Sequence, residues 1–189
     1  MLSNNKKIKA DMVAVVNSFT DEELREILEM ERELFPESLQ DFSYEKEMSA
    51  GKTAVVAYCP EGKVAGYIFA VPHCEAHAHL KDIDPDMPDV SDAHYIESIA
   101  IRSDLQGKGY FGKLMTKFKE ATEGRPITMH ARVRNNCSTA MQKHGAVHSH
   151  TVPNWFDSGE DFDYLDKKLT FSGKMVISDS GCRSFYFGG

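Results

Sequence analysis

A chain of 189 residues can bury one sizeable core, whereas dividing it leaves two marginal halves, so a single domain over residues 1–189 is expected. Its net charge of −7 argues against nucleic acid or an anionic membrane as the main partner, because both require basic surface. The four cysteines, Cys59, Cys74, Cys137 and Cys182, show no C-x-x-C spacing, which sets aside a zinc ribbon or redox pair and suits a reduced, cytoplasmic setting.

The N-terminus carries Lys6, Lys7 and Lys9, but the apolar run from Met12 to Val16 is too short for a signal-peptide core or a membrane span. That run reads as a first strand. Thr20 and Glu23 form a capping box that starts a helix, with Leu24, Ile27, Leu28 and Leu34 at helical spacing and Pro36 limiting its far end. Residues 41–50 read as a second short helix before Gly51. Two strands, 53–58 and 64–71, join through Pro60-Glu61-Gly62-Lys63 as a hairpin. Residues 73–94 read as a long loop, and His94 to Ile101 as the next strand. After Gln106 to Gly112 a helix carries Phe111, Leu114, Met115 and Phe118 on one stripe, and Gly124-Arg125-Pro126 stops it. Ile127 to Arg132 should pair parallel to the 94–101 strand, since a helical crossover of this length favours that pairing. Strands at 146–152 and 162–171 complete an α/β core over about 10–171. Residues 172–189 form an extension in which 175–177 and 185–187 could add a strand or hairpin.

The segment from strand to helix is the most informative part of the chain. It sets Gly107, Gly109, Gly112 and Lys108 at a helix N-terminus, where backbone N–H groups bind phosphate. The glycines also spell the G-x-G-x-x-G of dinucleotide-binding proteins. In that fold, however, the first glycine ends the strand, whereas residues 102–106 intervene here. An acidic ribose ligand about 20 residues on is also missing, since that distance falls near Ala131-Arg132. An NADP-dependent oxidoreductase is therefore disfavoured.

Residues Ala100 to Phe111 follow a pattern like Ala-Val-x-Pro-x-x-Arg/Gln-x-x-Gly-x-Gly/Ala, and in this the chain resembles the GNAT superfamily of N-acetyltransferases. Ser103 departs from the usual Pro, and Phe111 from the usual small residue. Arg134-Asn135-Asn136 with Lys143-His144-Gly145-Ala146, and Gly159-Glu160-Asp161 before a strand, resemble the family's later helix and closing hairpin. The resemblance implies a single mixed sheet flanked by helices, with two parallel strands splayed apart, and acetyl-CoA as cosubstrate. It implies that Gln106, Gly107, Lys108, Gly109, Tyr110, Phe111 and Gly112 hold the pyrophosphate. A backbone N–H among Ile99, Ala100 and Ile101 would polarise the thioester, and Asn136, or its neighbour Asn135, would meet the pantetheine arm or cap the helix.

Acetyl transfer to an amine needs a neutral nitrogen, a donor for the oxyanion and a route for the excess proton. Glu97, on the strand three residues before Ala100, is the candidate base. The position from which many family members protonate the departing thiolate with a tyrosine holds Met141. Tyr95, Tyr110 and Tyr164 are possible substitutes, and unassisted departure of a thiol of pKa about 8.5 at pH 7 forfeits only about 2 kcal/mol. Residues 73–94 contain His73, Cys74, His77, His79, Asp82, Asp84, Asp86, Asp89, Asp92 and His94 without any recognised metal-ligand spacing, so no metal is assigned and an acidic lid beside the acceptor is expected. Cys137 with His144 as nucleophile and base is disfavoured, because direct transfer needs neither. Leu34 to Ser38 resembles the acceptor side of peptide N-terminal acetyltransferases. The expected protein is a monomeric or homodimeric N-acetyltransferase acting on a peptide, protein or small-molecule amine. The alternative is a non-catalytic acyl-CoA-binding or interaction module.

Overall fold

A computed structural model describes residues 12–35, 37 and 48–167. The N-terminal lysines, Pro36, most of the helix expected over 41–50 and everything after Lys167 lie outside the described residues; Met48 to Ala50 are not helical. The elements are β1 (Val13–Val16), α1 (Asp21–Leu34), β2 (Thr53–Tyr58), β3 (Val64–Pro72), α2 (His73–Leu80), β4 (His94–Ile101), α3 (Tyr110–Ala121), β5 (Ile127–Arg132), α4 (Cys137–Lys143), β6 (Val147–Val152) and β7 (Phe162–Lys167). Among the described residues no helix is long and apolar enough to cross a membrane.

Seven strands form one sheet in the order β1-β2-β3-β4-β5-β7-β6. The β4–β5 pair is parallel and the other pairs are antiparallel. β2 and β3 bury both faces, which is why they read as nearly continuous apolar runs. On one face Val55, Ala57, Ile68 and Ile96 pack with Leu114, Met115 and Phe118 of α3 and Met141 of α4. On the other, Val56, Tyr67 and Tyr95 pack with Ile27 and Met30 of α1 and Ala76 of α2. Tyr110, rather than the expected Phe111, begins the buried stripe of α3; Phe111 is half-buried against the His144 ring.

The capping box forms as read: the Glu23 N–H donates to Thr20 Oγ1 at 3.1 Å, and the Thr20 N–H donates to Glu23 Oε2 at 2.8 Å. One expectation fails. The segment read as a loop from 73 to 94 opens with α2, eight residues led in by Pro72, and only the stretch from Lys81 to Ala93 is loop. Its histidines alternate with Ala76, Ala78 and Leu80, which favour helix. His73 is fully buried, with Nδ1 2.7 Å from Thr128 Oγ1 and Nε2 2.8 Å from the Pro88 carbonyl, so it fastens α2 to β5 and to the loop.

Candidate functional site

The parallel strands β4 and β5 pair over three residues only, His94 with Ile127, Tyr95 with Thr128 and Ile96 with Met129. Both strands continue, to Ile101 and Arg132, without pairing further, so they diverge and leave the β5-facing edge of Glu97 to Ile101 without a strand neighbour. A register shift between β3 and β4 coincides with that point. Phe69 faces Ser98 and Ala70 faces Ile96, which leaves Glu97 as the extra residue of a bulge.

Glu97 is exposed and lines a cavity of about 200 Å³ with Ala76 and Leu80 of α2, Tyr95, His130 of β5, and Trp155, Phe156 and Phe162 from the β6–β7 region. The loop carrying Trp155 and Phe156 is conformationally costly. Asn154, Phe156 and Asp157 all adopt left-handed backbone, with φ of 49°, 48° and 56°. It is pinned by Asp161, which accepts the Asn154 N–H at 3.0 Å, and by Asn154 Oδ1, which accepts the Gly159 N–H at 2.8 Å. Trp155 is thereby buried and Phe156 is left 49% exposed.

Tyr95 and His130 of the cavity wall belong to a buried polar chain that the sequence did not announce. Tyr95 Oη stands 2.9 Å from His130 Nδ1, and His130 Nε2 stands 2.9 Å from Asp84 Oδ2. The imidazole also lies against the rings of Trp155 and Tyr164, at centroid distances of 4.2 and 5.0 Å. Burial, outweighing the attraction of Asp84, pushes His130 down to about 4, so it is neutral at pH 7. Burial likewise raises the Tyr95 phenol well above its ordinary value. Asp84 is pushed up by burial, but its hydrogen bonds with His130 and His150 pull harder and hold it below the usual carboxylate range. Asp84 is thus a buried hub and not the exposed lid carboxylate expected; Asp86 and Asp89 of the same loop are exposed. Glu31 of α1, also unforeseen, is buried, accepting from Ser98 Oγ of β4 at 2.8 Å and from the Tyr67 hydroxyl.

At the far end of β4 a 3₁₀ turn, Ser103–Leu105, leads through Gln106 to Gly107 and Gly109, whose φ values of 75° and 85° demand glycine. Gly109 is the N-cap of α3 and has no side chain to cap the first N–H groups, which is the condition for an anion site at a helix start. A Cβ on Gly107 or Gly109 would meet nothing within 4 Å. Asn136 occupies the N-cap position of α4 without a capping hydrogen bond, while Asn135 Oδ1 accepts the Cys137 N–H at 2.9 Å. Asn135 makes the local turn, and the Asn136 side chain is exposed. Met141 is buried in the core, so no hydroxyl is offered from that position. Burial raises the Cys137 thiol to about 11, which removes it as a thiolate nucleophile near neutral pH. Among the described residues no three His, Cys, Asp or Glu side chains gather in a way that could hold a metal ion.

Residues 21–145 match the family model described as the acetyltransferase (GNAT) family. No curated protein matches the chain. Similar solved structures include the ribosomal-protein-S18-alanine N-acetyltransferase from Escherichia coli, 15% identical, covering 88% of this chain and 100% of that one at a TM-score of 0.58. Arabidopsis thaliana NAA60 in complex with acetyl-CoA is 12% identical, over 82% and 98% of the two chains, with a TM-score of 0.60. Ard1 from Thermoplasma volcanium is 14% identical, over 84% and 98%, with a TM-score of 0.58. At these identities the likeness is one of fold.

Proposed function

The chain belongs to the GNAT family of acetyltransferases, whose members use acetyl-CoA, and on that footing we propose that it moves the acetyl group of acetyl-CoA directly onto a primary amine of a peptide, protein or small molecule. The observation that carries the reading is the parting of β4 and β5 after Ile96, at the bulge that sets Glu97 in the cavity wall. In this reading the N–H groups from Gln106 to Gly112 take the pyrophosphate. The unpaired edge at Ile99, Ala100 and Ile101 takes the pantetheine as a pseudo-strand, and one of its N–H groups polarises the thioester carbonyl. The exposed Asn136 amide meets the pantetheine arm.

The acceptor enters from the cavity. Its ammonium is drawn to Glu97, which removes a proton; the freed lone pair attacks the thioester carbon, and the tetrahedral adduct expels the thiolate, which takes up the excess proton left on nitrogen. Sulfur leaves without help from position 141, a tolerable loss of about 2 kcal/mol for a thiol of pKa about 8.5. The acidic balance of the chain suits a cationic acceptor in the cytoplasm rather than nucleic acid or membrane.

Buried Met141 favours a second reading, an acyl-CoA-binding module without turnover. Thiol release from acetyl-CoA, measured against a mixture of amine acceptors beside calorimetry of coenzyme A binding, separates the two. Turnover with at least one amine is expected; tight binding with no turnover on any amine would establish the module instead.

A further inference from the structure

Asp84 comes from a loop rich in exposed carboxylates, yet it is only 2% exposed and ties together two neighbouring regions of the sheet. Its Oδ2 lies 2.9 Å from His130 Nε2 and 2.8 Å from His150 Nε2; its Oδ1 lies 2.9 Å from His150 Nε2 and accepts the Asp86 N–H at 3.2 Å. An ionised carboxylate has only lone pairs to offer, so the His130 nitrogen that faces it must carry the hydrogen. The His130 side chain is 1% exposed, and its burial keeps it uncharged, so its other nitrogen is bare. That bare Nδ1 faces Tyr95 Oη at 2.9 Å and can only accept. The single hydroxyl hydrogen of Tyr95 is therefore committed to His130. Tyr95 is among the residues lining the cavity, and with that hydrogen committed its oxygen can act there only as an acceptor.

We propose that Asp84 is a positioning residue which, through His130, fixes the Tyr95 oxygen as a hydrogen-bond acceptor in the cavity wall, so that the site selects and orients an N–H-bearing nucleophile. The proposal rests on the cavity being the amine site of an acetyltransferase. Polarity runs one way along the chain: Tyr95 O–H donates to His130 Nδ1, and His130 Nε2–H donates to Asp84. An amine entering the cavity donates one N–H to Tyr95, which turns its lone pair to a fixed direction. Glu97, exposed on the same wall, supplies charge and takes the proton; Tyr95 supplies the angle. A buried site left with an unpaired acceptor rejects a nucleophile that cannot donate.

The full-length protein labelled with ¹⁵N-histidine tests the polarity without any substitution. Near pH 7 the ring nitrogens of His130 should show a hydrogen on Nε2 and a bare Nδ1. A hydrogen on Nδ1, in either the other neutral tautomer or the imidazolium, overturns the proposal. Kinetics then test the coupling. Tyr95→Phe should raise the KM for the amine roughly 10-fold or more and leave the KM for acetyl-CoA unchanged, the scale of one hydrogen bond to a charged group. Asp84→Ala should raise the amine KM in the wild-type background and add nothing to it in a Tyr95→Phe background. An equal further rise in the double variant would make Asp84 a structural residue and sink the idea. Failure of the acetyltransferase reading looks different: the wild type is then inert toward every amine while the His130 tautomer remains measurable.

Discussion

The bulge sets Glu97 between Ile96 and Ser98, which face Ala70 and Phe69 of β3, and its exposure lets it meet an incoming cation. Replacing it by Gln keeps the shape and removes the base. Glu97→Gln should lower kcat by roughly 10²-fold or more with the KM for acetyl-CoA intact, as general-base loss does; wild-type turnover would return Glu97 to an ordinary surface carboxylate. His130 carries a second, independent expectation. Its folded pKa is about 4 against an ordinary 6.5, so between those values the unfolded chain binds the proton first. The associated stability is fully present above about pH 6.5 and is lost as pH falls toward 4, by roughly 3 kcal/mol. Asp84, with its carboxyl held low, adds to the loss below the ordinary carboxylate range, where the unfolded chain takes up a proton that the folded carboxylate still refuses. Urea midpoints measured from pH 7 to 4.5 should fall steeply in the wild type and be flatter in His130→Gln. Equal slopes would assign the acid sensitivity to another group.

The loop from Gln106 to the first turn of α3 is the element on which cofactor binding turns. Its glycines are needed for backbone conformation rather than for space, since φ is 85° at Gly109 and a Cβ there would meet nothing within 4 Å. Gly109→Asp should therefore leave a folded protein while setting a carboxylate at a helix start and straining its backbone, and coenzyme A affinity should fall beyond detection by calorimetry. Unaltered affinity in that variant would move the pyrophosphate elsewhere. The same loop shows what a linear pattern can convey. Glycines at positive φ, a preceding strand and a following amphipathic helix are all local, so their order was readable before any contact was known. Phe111 shows the limit: the helical spacing fits 111 or 110 as the first buried position, and only packing against the sheet decided for Tyr110.

For the molecule as a whole, a ligand that binds only the native state raises its stability by mass action. Coenzyme A at about 100 times its dissociation constant should add about 2.7 kcal/mol and raise Tm by several degrees. NADPH at the same concentration should not, because the five residues between Ile101 and Gly107 displace the first glycine from a strand end. A shift with NADPH and none with coenzyme A would contradict the cofactor assignment.

By itself the sequence determined the strands and the helices other than α2, the capping box, the glycine loop, the parallel crossover from β4 to β5 and the place of Glu97 on its strand. Each of these is written in spacings of a few residues, where sterics and hydrogen bonding act between near neighbours. Tertiary structure alone decided that Asp84 is buried, that His130 backs the cavity and that Tyr95 is joined to both. Those partners stand 46 and 35 residues apart, and Asp84 and His150 are separated by 66. No periodicity encodes such distances. A histidine or aspartate has the same letter whether water or another side chain satisfies it, and only the closure of the sheet, with α2 packed on β3 and β4 and its loop reaching β5 and β6, removes the water.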